Sequence, residues 1–458
     1  MLEFTKIERV YATKRPANVR KKDYGEIYNL FDKKLAAEQG SRCVQCGDPY
    51  CHNRCPLHNL IPNWLKQVAD KDLELAFLLS NETSPFPEIL GKICPHDSLC
   101  EGDCTLNDGH GAIAIGSIET YISEKGFEKG LKPKFSAKKC GKKVAVIGSG
   151  PAGMSAATFL LRKGFDVDMF EREDRAGGLL MYGIPGFKLD KKDVQRRIDW
   201  LVEAGMKLHL QCEIGRDISF EEIEKNYDAV FLGIGATKGK KAGMINEDAI
   251  NVHTAMEFLT KIQKRNLGDK INYIDVKNRD VVVIGGGDTA MDCVRTSIRE
   301  GAKSVKCLYR RDEANMPGSK KEVVNAKEEG AEFIFNVSPK AIVERHGIAK
   351  GVELQKTALS EPDAKGRRSV VLVEGSEYIE KADVVLCALG FDQEIPPFLK
   401  SLNLDLDATG RIKTDEFLQT SNPKIYAGGD CKRGAELAVT ATYDGRTAAY
   451  AIAQKLLA

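Results

Sequence analysis

The chain has 458 residues and a formal net charge of +2; 42% of it is hydrophobic and 29% charged. That length predicts two or three domains rather than one core. The near-neutral balance gives no case for nucleic acid as a partner, and without an apolar run of about 18 residues no membrane-spanning helix is expected. The N-terminal stretch "MLEFTKIERV" lacks the apolar core of a secretory signal, so a cytoplasmic location is expected. In that reducing compartment the thirteen cysteines are not expected to form a disulfide framework.

Residues 1–130 are predicted to be mainly helical, with loops at cysteines. Seven cysteines crowd this part, and the run "CVQCGDPYCHNRCP" spaces Cys43, Cys46, Cys51 and Cys55 as C-x2-C-x4-C-x3-C-P. Cys94, Cys100 and Cys104 follow. Four clustered thiols could form disulfides, hold zinc, act as a redox dithiol or ligate an iron–sulfur cluster, and this stretch alone does not choose. Cys140, Cys212, Cys293, Cys307, Cys387 and Cys431 stand singly and read as small hydrophobes. "IPNWLKQVADKDLELAFLLSNE" has helical apolar spacing, with Pro62 suited to a first turn. The basic stretch that follows, rich in turn residues, marks a linker at 131–142.

Beyond it, short apolar runs bounded by glycine alternate with amphipathic segments, which predicts an α/β class. "KKVAVIGSGPAGMSAATFLLRKGFDVDMFERE" reads as strand, glycine turn, helix and strand. Here Gly148 permits the turn, Gly150 lets backbone approach a pyrophosphate, and Gly153 allows close helix–strand contact. Pro151 and Ala152 open a helix whose N-terminus faces the phosphates. Glu171 ends the next strand, where a carboxylate accepts from an adenosine ribose hydroxyl, as FAD or NAD requires. "RDVVVIGGGDTAMDCVRTSIREGAKSVKCLYRRDE" repeats the plan with Gly285, Gly286, Gly287, Asp288 and Thr289. Its second strand ends in Arg310-Arg311, which can pair with a 2′-phosphate, so this unit should take NADPH. The plainer alternative is that these arginines make surface ion pairs. A hairpin is expected between Thr357 and Asp383.

The C-terminal run "IYAGGDCKRGAELAVTATYDGRTAA" resembles the segment by which two-dinucleotide flavoproteins bind the flavin end of FAD. The resemblance implies FAD contacts at Asp430 and Thr440. It also implies an FAD domain split by an inserted NADPH domain, with "LGIGA" and "CALGF" at the crossings. The expected fold is therefore α/β: two Rossmann-like dinucleotide-binding domains preceded by a mainly helical iron–sulfur domain. The expected boundaries are 1–130, 131–142 (linker), 143–250 and 386–458 (FAD), and 251–385 (NADPH).

An NADPH–flavin unit needs an outlet for electrons. The helix after the first glycine loop has no cysteine, and "AMDCVRTS" holds only Cys293, which disfavours a dithiol. The N-terminal cysteines remain. Zinc accepts four thiolates but is redox-inert, whereas bacterial ferredoxins use a related run ending in Cys-Pro. Iron–sulfur ligation is therefore favoured over zinc.

The chain resembles the small (beta) subunits of NADPH-dependent glutamate synthases. The matching stretches are "CGDPYCHNRCPLHNLIPNWL", "PEILGKICPHDSLCEGDCTLNDGHGAIAIGSIETYI", "GGLLMYGIPGFKL", "GGGDTAMDCVRTS", "YRRDEANMPGS" and "TSNPKIYAGGD". Its first part also resembles the corresponding domain of dihydropyrimidine dehydrogenase. The resemblance implies FAD contacts at Gly178 and Leu179 and two 4Fe–4S clusters. One would be held by Cys43, Cys46, Cys51 and Cys104, the other by Cys55, Cys94, Cys100 and Glu119. The plainer reading of Glu119 is a solvated helix carboxylate. The implied activity is NADPH oxidation at FAD, with electrons passed through the clusters to a large (alpha) subunit that makes glutamate from glutamine and 2-oxoglutarate. As encoded, the chain begins Met1-Leu2, with no N-terminal nucleophilic cysteine for that last step. A related NADPH:acceptor flavoprotein, ferredoxin-linked or pyrimidine-reducing, would use the same modules. A non-catalytic scaffold is disfavoured because both phosphate loops and the clustered cysteines are intact.

Overall fold

A computed structural model describes residues 1–361 and 368–458. Two parallel sheets with the same plan form its α/β part. In the first, the strand order is 425–427, 229–232, 143–147, 166–170 and 207–209. In the second it is 252–254, 384–387, 280–284, 304–309 and 332–335. The central strands Lys143–Ile147 and Asp280–Ile284 are near-continuous apolar runs, because helices cover both faces of a parallel sheet. Each is followed by a glycine turn and a helix, Pro151–Arg162 and Asp288–Arg299.

The chain leaves the first sheet after Leu232, builds the second, and returns to add Ile425–Ala427 beside Ala229–Leu232. At the crossings Lys238–Gly239 pairs antiparallel with Phe391–Asp392. The second sheet runs to Cys387, two residues past the expected boundary at 385. The long helix Ala438–Leu457 packs on Pro151–Arg162 and closes the first core.

The region of the expected hairpin belongs to a larger antiparallel sheet. Its long strand Ile348–Leu359 pairs with Val337–Arg345, Val370–Leu372 and Tyr378–Lys381. Thr357–Leu359 opposes Val370–Leu372 as a hairpin requires, while residues 362–367 between them lie outside the described residues. The strand at Val337 was not anticipated, because its alternation is broken by Pro339 and a register shift.

The N-terminal region is helical, and the apolar stretch from Ile61 forms two helices, Ile61–Ala69 and Leu73–Thr83. Lys71 adopts a left-handed φ of 64° between them, and the Asp72 carboxylate accepts from the Leu75 N–H at 3.1 Å as an N-cap. Buried charges fasten this region to the rest. Arg197 and Glu88, both fully buried, form a bidentate pair with two contacts of 2.7 Å. Arg446 donates to the carbonyls of Leu57 and Thr83. Arg20, 2% exposed, reaches Glu329 at 2.9 Å and Glu328 at 2.7 Å, so the N-terminal arm is also bound to the second α/β unit. Breaking one partner of such a pair would strand a buried charge, which fixes the relative placement of the elements joined. No described helix is long and apolar enough to cross a membrane.

Candidate functional site

The first glycine turn opens onto a cavity of about 670 Å³ lined by Gly148, Gly150, Pro151, Ala152, Glu171, Gly178, Leu179 and Asp430. Glu171, 7% exposed, stands at the end of its strand. Its carboxylate accepts from the N–H of Ser149 at 3.1 Å and of Glu173 at 2.9 Å, and from the Ser149 hydroxyl. The Ser149 hydroxyl in turn accepts from Gly177 N–H at 2.9 Å. This network holds the turn, the acidic strand end and the Gly177-Gly178 corner as one rigid wall. Ser149 is a site residue that the glycine spacing treats as a blank. Burial raises the Asp430 carboxyl to about 6, against the N–H of Glu436.

Gly153 is not in the cavity wall: a Cβ there would overlap the carbonyl of Gly148, so its role is close packing. Thr440 is not in the wall either, although Leu437, Ala438, Val439 and Ala441 are. Its hydroxyl donates to its own helix, to Leu437 O at 2.7 Å, as threonine in a first turn readily does.

The same cavity reaches the second glycine turn through Asp288 and Thr289. Gly285, Gly286 and Gly287 lie just outside that wall, before the N-terminus of helix Asp288–Arg299. A Cβ at Gly286 would strike the Tyr309 ring, which packs over the turn with its hydroxyl on Asn315 O at 2.7 Å. Arg310 and Arg311 follow strand Ser304–Tyr309, the position that Glu171 holds in the first unit. Neither arginine forms an ion pair within the described residues, and the buried Arg311 Nε has no partner there.

Lys188 and Asp292, from different units, meet at 3.0 Å in the cavity wall. Burial pulls the Lys188 ammonium down, but Asp292 and Glu322 outweigh it and hold it charged. Burial raises Asp292 to about 6 despite Lys188. The sequence signal was a lysine in the apolar corner "GIPGFKL", but its partner sits 104 residues on and could not be read.

Two groups of acidic side chains occupy the helical region. Cys43, Cys46, Cys51 and Cys104 line one small cavity with Pro62, Leu65, Leu106, Ile113 and Ile115. Burial pushes the Cys51 thiol up to about 12, with the charges of Cys104 and Cys43 adding to it. Cys55, Cys94, Cys100 and Glu119 form the second group. Burial raises Cys94, followed by the charges of Glu119 and Cys55; burial raises Cys100, with Glu101, Cys55, Cys94 and Glu119 adding. Glu119, 6% exposed, is pushed up to about 8 by burial although Asn59 donates to it at 2.8 Å. It is therefore not a solvated carboxylate.

The Cys-Pro pairs explain the placement. Helices Tyr50–Arg54 and Pro87–Ile93 both end at a cysteine with extended backbone, Cys55 and Cys94, each before a proline. A residue preceding proline is forced out of the helical region, so each thiol projects from a helix end. Cys94 and Pro95 also stand in the wall of the large cavity that holds the first glycine turn.

Burial keeps these thiols protonated, so their ionisation to thiolate ligands requires a bound cation. Among the described residues no three such groups converge as closely as a single metal ion demands. Thiols distributed around a cavity suit a larger, multi-iron cluster bound through thiolates, and a large cavity that holds the first glycine turn and reaches Asp288 and Thr289 after the second suits dinucleotides.

Comparison with known proteins agrees. Residues 20–131 match the family described as dihydropyrimidine dehydrogenase domain II, 4Fe-4S cluster. Residues 142–445 match the pyridine nucleotide-disulphide oxidoreductases. Glutamate synthase [NADPH] small chain of Escherichia coli K12 is 48% identical over 98% of this chain and 97% of its own length. A putative oxidoreductase of the same organism, AegA, is 47% identical over 98% of this chain and 71% of its own. Mycobacterium tuberculosis FprA in complex with NADPH shares the fold, with a TM-score of 0.59 at 18% identity over 69% of this chain and 84% of that one. The chain thus belongs to the family of NADPH-dependent glutamate synthase small chains, oxidoreductases that join an iron–sulfur domain to a pyridine-nucleotide flavoprotein unit.

Proposed function

We propose that this chain is the electron-input subunit of a cytoplasmic glutamate synthase. It oxidises NADPH and delivers electrons to a large subunit that makes glutamate from glutamine and 2-oxoglutarate. The observation that carries this reading is a single cavity whose wall contains the first glycine turn, Asp288 and Thr289 of the second, and Cys94 of a cysteine group. In this reading 143–250 and 386–458 hold FAD, 251–385 hold NADPH, and 1–130 hold two 4Fe–4S clusters.

When bound, FAD would supply hydride acceptance and the clusters single-electron transfer, and no side-chain acid or base is required. The protein's part is binding, orientation and exclusion of water. Gly148, Gly150 and the N-terminus of helix Pro151–Arg162 would receive the FAD pyrophosphate, Glu171 its ribose and Asp430 the flavin-end chain. Gly285–Gly287 and Arg310-Arg311 would hold NADPH, with Asp288 and Thr289 at its entry to the shared cavity. Lys188 and Asp292 tie the two units at that junction. Cys55, Cys94, Cys100 and Glu119 form the ligand set nearer the flavin, because Cys94 is in its wall. Cys43, Cys46, Cys51 and Cys104 form the outer set.

Anaerobically prepared protein is expected to hold one FAD and about eight irons. Mixed with a glutamate synthase large chain, it should support NADPH-driven glutamate formation; a properly loaded protein that neither binds the large chain nor supports that reaction would sink the assignment. A second reading, an NADPH:acceptor module serving another partner, is favoured by the equally close putative oxidoreductase. Reduction of a different acceptor with no response to the large chain would establish it.

Gly153→Ala should weaken FAD binding. A Cβ there overlaps Gly148 O and is accommodated by moving the glycine turn; if restoring the turn for FAD costs the full overpacking energy of about 2 kcal/mol, the Kd rises about 30-fold. The flavin-to-protein absorbance ratio after dilution and gel filtration measures this.

A further inference from the structure

We infer that Gln45 and Thr105 set the reduction potential of the outer cluster, raising it above that of the inner one. This rests on the ligand reading above. Gln45 stands between two cysteines of the run and, although not glycine, has a left-handed φ of 53°. A strained residue of this kind persists where its surroundings over-determine it. Here its side-chain Nε2 donates twice, to Cys43 Sγ at 3.3 Å and to Pro62 O at 2.8 Å. The Thr105 hydroxyl lies 3.2 Å from Cys46 Sγ. Between a thiol and a hydroxyl either atom can donate, but a cysteine bound to iron is a thiolate without a proton. Thr105 must then be the donor. The outer set thus receives side-chain donors on two of its four sulfurs.

Hydrogen bonds to ligand sulfurs, net charge and exposure set a cluster's potential. A donor aimed at sulfur favours the more negative, reduced state. Among the described residues no side-chain donor reaches the sulfur of Cys55, Cys94 or Cys100, and backbone N–H groups act on both sets, those of Asn59 and Leu57 on Cys55, of Gln45 on Cys43 and of His52 on Cys51. The charge of the ligands does not separate the two sets, since Glu119 contributes one carboxylate where the outer set has a fourth thiolate. Of the outer cysteines three are partly exposed and Cys43 is buried, whereas of the inner ones only Cys55 is partly exposed and Cys94 and Cys100 are buried. Side-chain donors and exposure both place the outer cluster higher, so single electrons run downhill away from the flavin cavity.

The test uses anaerobic holoprotein carrying Gln45→Met, Thr105→Val or both. Mediated redox titration with EPR reads each cluster, and Cys55→Ala identifies the outer signal. In the double variant the ratio of reduced to oxidised outer cluster at fixed potential should fall about tenfold, equivalent to 59 mV for a one-electron couple. Iron content and the inner signal should not change, and Thr105→Ser should keep the wild-type ratio. If the double variant loses its cluster, Thr105→Val decides alone: Thr105 is exposed, and a fall of about threefold is expected from one lost donor. An unchanged ratio at full iron content overturns the inference. Wild-type protein without iron overturns instead the ligand reading beneath it.

Discussion

Replacing Arg310 and Arg311 together with alanine is expected to lower kcat/KM for NADPH by about 100-fold and that for NADH by less than about threefold. The two guanidiniums follow the strand Ser304–Tyr309, where an adenosine ribose is expected to lie. They make no ion pair within the described residues, and Arg311 Nε is buried without a partner. Each charge-assisted hydrogen bond to a phosphate contributes about 1.5–3 kcal/mol. Losing two, with solvent screening at the exposed Arg310, leaves about 2.7 kcal/mol, which is about 100-fold. NADH has no 2′-phosphate and loses little. Steady-state kinetics with an artificial acceptor separates the two cofactors. Equal losses for both would refute the phosphate role and restore the arginines to ordinary surface charge.

Cys55→Ala should remove the inner cluster alone. Iron should fall from about eight to about four per chain, and electron delivery to the large subunit should drop by at least about 100-fold. NADPH oxidation by an acceptor that draws directly on the flavin should persist within about threefold, because neither glycine turn involves Cys55. Cys55 is only four residues beyond Cys51, yet it is absent from the wall of the first cavity and packs against the core cluster that contains Cys94. Metal analysis with EPR measures the first effect and paired acceptor assays the second. Loss of all iron would mean that the cysteines serve one site, and unchanged iron would remove Cys55 from the ligands.

Several features were legible because they are local. A glycine turn between an apolar strand and a helix obeys steric rules spanning a few residues. Both turns at Gly148 and Gly285 and the charged strand ends at Glu171 and Arg310 therefore stood out. The Cys-Pro helix ends are local in the same way. Thr440 shows the limit of position-matching: its neighbours line the cavity, but its hydroxyl turns to Leu437 O. That choice depends on side-chain rotation, which residue spacing does not encode.

From the residues and the family resemblance in the sequence came the class of the protein, its paired glycine turns, the opposite charges at the strand ends after them, and the crowding of seven cysteines in its first part. Only the tertiary structure decided what faces what. Cys94, more than 50 residues before the first glycine turn, stands in the wall of that turn's cavity. Lys188 meets Asp292 across the two units, Arg20 reaches Glu329, and Gln45 and Thr105 close on the sulfurs of Cys43 and Cys46. The reason is physical. Backbone preferences act over a turn, whereas desolvation and charge pairing act between whichever segments packing brings together, at any separation along the chain.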